Sequence, residues 1–144
     1  MAKILITDDD RQVRALLRIL LGQEGHETVE AADGCEALAA CRRETFDLLL
    51  CDLFMPKKEG LETIREVKRA FPNLKVMAMS GGSRCGRLDA LDMAQVMGAD
   101  AVLRKPYNRE KLFLAIEHAI TGRDPTESLS HKPLSPVLRG EGLG

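Results

Sequence analysis

Five short apolar runs, at residues 3–7, 27–31, 46–51, 75–79 and 101–104, divide most of the chain, and a helix-spaced pattern follows each of them. That alternation limits the fold more than any single residue does. Strands joined in parallel need crossovers of about a dozen residues, which the intervening helical segments supply. Right-handed crossovers that place helices on both faces give a three-layer α/β sandwich around a doubly wound, five-stranded parallel sheet. The run KILIT at 3–7 is short and β-branched. FDLLLC at 46–51 is the most apolar and is expected at the centre of the sheet, covered on both faces.

The helical patterns are equally short. Val13, Leu16, Leu17, Leu20 and Leu21 recur at helical spacing up to Gly22 and Gly25, which suit a helix stop. Residues 34–43 bury Ala37, Leu38 and Cys41, and Leu61, Ile64 and Val67 mark a third helix closed by Phe71-Pro72-Asn73. Leu88, Leu91 and Ala94 predict a helix over 87–97, and Asn108 is placed to cap a last one carrying Leu112, Ile116 and Ile120 inward. Beyond Thr121 the periodicity stops. Residues 1–121 are therefore expected to form one domain, with 122–144 a flexible tail too poor in apolar surface to offset its ordering entropy.

Polar groups stand where four of these runs end. Asp8-Asp9-Asp10 follows the first, Asp52 the third, Ser80 the fourth and Lys105-Pro106 the fifth. In a parallel sheet all four gather at the carboxyl edge, where open α/β folds put their chemistry. One aspartate suffices to cap the following helix, and Asp10 is assigned to that. Three in a row repel one another, which a structural role does not require. Asp52 at the end of a buried strand needs a partner, and the neighbouring acids offer only repulsion unless a cation intervenes. Mg²⁺, hard and oxygen-seeking, fits that gap. Pro106 keeps Lys105 extended, so its ammonium is expected to reach across the edge towards Asp52. Ser80 before Gly81-Gly82 serves equally as a turn, and the residues alone leave that open. The pattern describes a Mg²⁺-dependent site that carries a phosphoryl group on Asp52.

Composition removes other classes. A net charge of −1 leaves no electrostatic footprint for nucleic acid or an anionic membrane. No apolar stretch is long enough to cross a bilayer, and Met1-Ala2-Lys3-Ile4 runs into a strand pattern with no signal-peptide architecture. Cys35, Cys41, Cys51 and Cys85 lack zinc spacing and are expected as thiols in a reducing cytoplasm. His26, His118 and His131 are scattered without ligand spacing. The glycines of 81–86 lack the spacing of a nucleotide phosphate loop.

The stretches ILITDDD, DLLLCDLFMPKKEGLE, VMAMSG and GADAVLRKPY, in this order, resemble the receiver domain of two-component response regulators. The resemblance runs from Lys3 to about Thr121 and implies a flavodoxin-like (βα)5 fold. It implies that Asp52 takes a phosphoryl group from a histidine of a sensor kinase or a histidine phosphotransfer protein. It further implies that Asp9, Asp52 and the backbone carbonyl of Phe54 hold Mg²⁺, with Asp8 completing the acid pocket largely through water. Ser80 and Lys105 would contact phosphoryl oxygens. Such a chain would be cytoplasmic, would signal to a protein target without binding nucleic acid or membrane, and would catalyse only its own phosphotransfer and autodephosphorylation. A relay role, passing the group on to a histidine phosphotransfer protein, is the alternative. The sequence departs from the family at Val102, where an aromatic is usual, at Phe54, and in a longer, glycine-rich loop after Ser80. A Mg²⁺-dependent phosphatase of the haloacid-dehalogenase type would place a second aspartate where Phe54 stands.

Overall fold

The computed structural model describes residues 1–53, 60–80, 94–95, 97–122, 139–140 and 142–143. The elements in chain order are β1 (Lys3–Thr7), α1 (Arg11–Gln23), β2 (Glu27–Ala31), α2 (Gly34–Arg43), β3 (Leu48–Asp52), α3 (Gly60–Ala70), β4 (Lys75–Ser80), β5 (Ala101–Arg104) and α4 (Arg109–Thr121). The five strands form one parallel sheet in the order β2-β1-β3-β4-β5. The order reverses beside β1, so the chain winds outward in both directions from the β1–β3 pair. This is the flavodoxin-like doubly wound arrangement, whose sites lie at the strand ends next to that reversal.

Strand alternation divides the interior into two cores. Ile4, Ile6, Leu48, Leu50, Met77 and Met79 face α1 and α4, meeting Leu17, Leu21, Leu112 and Ile116. Leu5, Leu49, Cys51, Val76 and Ala78 face α2 and α3, meeting Ala37, Leu38, Ile64 and Val67. Successive side chains of a strand point to opposite faces, so a run that is apolar at every position is the signature of a sheet covered twice. All five residues of β3 are buried, as expected of the central strand.

The boundaries carry the corrections. β3 starts at Leu48 instead of Phe46: Phe46 is buried in the α2–α3 core, while Asp47 is tied to Lys3 through reciprocal bonds of 2.8 Å. α1 continues through Gly22, and of the two glycines expected to stop it only Gly25 has positive φ, at 86°. Ser80 is the last residue of β4. Of the helix expected over 87–97, only Ala94, Gln95 and Met97 are described; the first two are helical and Met97 lies in a turn. Asn108 caps α4 by accepting from Lys111 N–H at 2.8 Å. Most of the tail lies outside the described residues; within it, Arg139–Gly140 pairs antiparallel with Gly142–Leu143, which its patternless composition had not suggested. Among the described residues, no helix is long and apolar enough to cross a membrane.

Candidate functional site

Register brings the polar groups together. Thr7 pairs with Cys51 and Asp52 with Met79, while Ser80 pairs with Arg104. Asp8, one step past Thr7, therefore stands beside Asp52. The ladder continues past the strand ends: Leu53 N–H bonds Met79 carbonyl at 3.0 Å, and Lys105 N–H bonds Ser80 carbonyl at 2.8 Å. Lys105, joined to Pro106 by a cis peptide, sends its ammonium back over the edge. It lies 3.5 Å from Asp52 Oδ1 and 3.7 Å from Asp8 Oδ2.

Asp8, Asp9 and Asp52 each offer an oxygen within 4.8 Å of the others. Asp8 and Asp52 are only 1% and 6% exposed, whereas Asp9 is open to solvent. Three of Asp8's polar atoms are committed: its N–H bonds Ala31 carbonyl at 3.2 Å, its carbonyl accepts from Arg14 Nη1 at 2.7 Å, and Oδ1 accepts from Asp10 N–H at 2.8 Å. Oδ2 is buried without a hydrogen-bond partner. Asp10 faces away from the cluster and caps α1, accepting from Gln12 and Val13 N–H at 2.8 and 3.4 Å.

Two buried carboxylates share one ammonium, with the exposed Asp9 beside them, and the electrostatics follow. Burial, with Asp8 beside it, pushes Asp52 from an ordinary 3.8 up to about 6 despite the opposing Lys105. Burial likewise raises Asp8, against the pull of the Asp10 N–H and Lys105. Cys51 is held as a thiol by full burial and the two carboxylates, so it does not compete as a nucleophile. Tyr107 is half-buried on the α1–α4 core, its phenol raised by burial and by the negative field of Asp8 and Asp52. A buried carboxylate oxygen that accepts no hydrogen bond, among converging acids, belongs to a donor set suited to a hard divalent cation.

The chain matches the family model described as the response regulator receiver domain over residues 4–117. The chain belongs to the response regulator receiver family. This receiver is 40% identical over 116 residues to the transcriptional regulatory protein CpxR of Klebsiella pneumoniae, a match covering 81% of this chain and 48% of that protein. It is 32% identical over 115 residues to sporulation initiation phosphotransferase F of Bacillus subtilis, covering 80% and 90%. The crystal structure of the receiver domain of NtrX from Brucella abortus superposes with a TM-score of 0.75 at 32% identity, covering 83% of this chain and 99% of that one. The receiver spans about half the length of the CpxR proteins it matches.

Among the residues expected at the site, Asp8, Asp9, Asp52 and Lys105 are gathered within ion-pairing or ligating reach of one another. Ser80 is fully buried at the end of β4, next to the backbone of Lys105. Phe54 and the loop over 81–86 lie outside the described residues. Val102, where the family usually has an aromatic, is half-buried against the α2–α3 core. Sequence reasoning missed Arg14 and Tyr107. The first sits one helical turn after Asp10, a spacing that points its side chain back at the aspartate turn; the second was visible only as the end of a motif.

Proposed function

We propose that the receiver accepts a phosphoryl group on Asp52 from a phosphohistidine of a sensor kinase, with Mg²⁺ required, and signals through protein–protein contacts. The observation that supports this most directly is the convergence of Asp52 with Asp8, Asp9 and Lys105 at one strand edge. A carboxylate oxygen of Asp52 attacks phosphorus, the phosphorus–nitrogen bond breaks, and the departing imidazole takes its electron pair and then a proton. An Asp52 near 6 is a better base than a free carboxylate yet is ionised at neutral pH. Lys105, already within 3.5 Å of Asp52 Oδ1, pairs with an oxygen of the transferred group. The Ser80 hydroxyl donates to another. Asp8, Asp9 and Asp52 would hold Mg²⁺, which would neutralise the charge that builds on those oxygens. Water reverses the modification by releasing inorganic phosphate, and the chain turns over no other substrate. The reaction belongs in the cytoplasm.

The Bacillus phosphotransferase favours a second reading, since its match covers 90% of that protein. In it, Asp52 passes the group onward to a histidine phosphotransfer protein. The CpxR proteins, which are named transcriptional regulators, are about twice as long as the match, which covers 48% of each.

Acetyl phosphate with Mg²⁺ is expected to add one phosphoryl mass to the intact chain, and EDTA to prevent it. An unmodified chain under both conditions would overturn the proposal. Transfer of label to a histidine phosphotransfer protein separates the two readings.

Metal binding is expected to depend on pH. Carboxylates bind Mg²⁺ deprotonated, so protons compete as pH falls through the raised Asp52 value of about 6. Between about pH 7.5 and 5.5, titration of this one group lowers Mg²⁺ affinity roughly fourfold. Calorimetric titration at the two values checks this, and a flat profile would mean that Asp52 is not a ligand.

A further inference from the structure

Arg14 is the one cation on α1 whose side chain turns inward to the aspartate turn, and the phosphotransfer scheme leaves it without a role. Its side chain is only 14% exposed and makes two directed contacts: Nη1 donates to Asp8 carbonyl at 2.7 Å, and Nε donates to Glu30 Oε1 at 3.0 Å. Glu30 lies on β2 and is itself approached by Arg18 Nε at 3.7 Å. The guanidinium thus joins three elements: α1, the turn after β1, and β2.

The bonded carbonyl matters because of what shares its plane. Asp8 carbonyl and Asp9 N–H belong to one peptide unit, which is rigid. Fixing that carbonyl fixes the plane and sets the direction in which Asp9 leaves the backbone. Asp9 is the exposed member of the acid cluster, so burial does little to orient it. Asp8 is held at its N–H by Ala31 and at Oδ1 by Asp10, leaving its carbonyl as the remaining degree of freedom. A planar guanidinium with several donors in fixed directions serves two acceptors at once, which a lysine ammonium does less well.

We propose that Arg14, braced by Glu30, is a positioning residue that orients the Asp8–Asp9 peptide so that both carboxylates meet one Mg²⁺. The inference rests on the magnesium reading of the cluster. Its sign makes it testable. Arg14 is a cation near a cation site, so on Coulomb grounds alone its removal tightens Mg²⁺. A loss of affinity therefore reports lost geometry.

The test is calorimetric titration of Mg²⁺ into the full chain, well below the melting temperature of each variant, with melting in EDTA recorded alongside. Arg14→Ala is expected to weaken Mg²⁺ about tenfold, in the range found when partners of metal ligands are removed. Arg14→Lys recovers part of the loss. Arg14→Gln, uncharged and longer than alanine, also weakens Mg²⁺ and carries the test if Arg14→Ala does not fold. Glu30→Gln removes an anion, which weakens Mg²⁺ on Coulomb grounds as well, so it is read only against the double variant. The Arg14→Ala/Glu30→Gln double variant is no worse than Arg14→Ala, because the two act as one unit. Asp9→Ala serves as reference. Unchanged or tighter Mg²⁺ in Arg14→Ala and Arg14→Gln, with Asp9→Ala weakened, overturns the positioning role alone. Unchanged Mg²⁺ in Asp9→Ala overturns the magnesium reading and this inference with it.

Discussion

Asp52→Asn is expected to make the metal-free protein more stable at neutral pH and, in the same step, to abolish its labelling by acetyl phosphate. The folded protein raises Asp52 from 3.8 to about 6, so it binds a proton there more tightly than the unfolded chain does. The contribution of this group to stability is then highest below about pH 4, falls as pH rises through the window between the two values, and carries the full cost above about pH 6. Two units at about 1.4 kcal/mol each put that cost at about 2–3 kcal/mol. Asparagine removes the charge and leaves Lys105 paired with Asp8 alone. A gain of several degrees in melting temperature in EDTA at about pH 7.5, vanishing near pH 4, is the expected result. Saturating Mg²⁺ shrinks the difference, because only the wild type keeps its full donor set. Equal melting temperatures in EDTA would show that the cluster is not strained by its own charge. Label retained on the variant would move the phosphoacceptor elsewhere.

Gly60→Ala should do the opposite, costing stability and function together. A Cβ at Gly60 would sit 2.5 Å from Leu53 Cα and 3.0 Å from Asp52 carbonyl carbon, and it would collide with the Asp52 oxygen as well. These are backbone atoms, which cannot rotate away. Gly60 N–H also bonds Leu53 carbonyl at 3.0 Å, so the start of α3 is pinned against the end of β3. The methyl group must push that helix off Asp52. Overpacking of this kind costs about 1–3 kcal/mol, and a shift of the nucleophile by about 1 Å lowers the transfer rate roughly a hundredfold. Gly22→Ala is the control: it adds the same methyl to a helix where nothing lies within 4 Å, and should gain stability by roughly 0.5–1 kcal/mol. Equal behaviour of the two variants in melting and labelling would refute the steric reading of Gly60.

Local signals carried most of the fold and most of the site, for one reason. In a parallel sheet of short strands, the residue that ends a run is also the residue at the carboxyl edge, so sequence position translates directly into place. Asp8, Asp52, Ser80 and Lys105 were legible on that rule. The start of β3 was not, because Phe46 is as apolar as the strand and only its neighbour Asp47, bound back to Lys3, ends the pairing. The end of α1 was misread at Gly22, which a helix tolerates when nothing crowds it. The link from Arg14 to Glu30 joins residues on different elements, and no local pattern announces such a pair. The close approach of Gly60 to Asp52 is likewise a property of packing, invisible until β3 and α3 are in place.

Tyr107 gives the receiver an optical property. The chain has no tryptophan and a single tyrosine, so its near-ultraviolet emission comes from one ring, set within the field of Asp8 and Asp52. Arrival of a cation or a phosphoryl group at the cluster changes the field at that ring, and with it the emission. The unmodified protein is therefore its own fluorimeter: excited above the phenylalanine band, its tyrosine emission followed against time in a stopped-flow mixer reads the occupancy of a single cluster with no label attached.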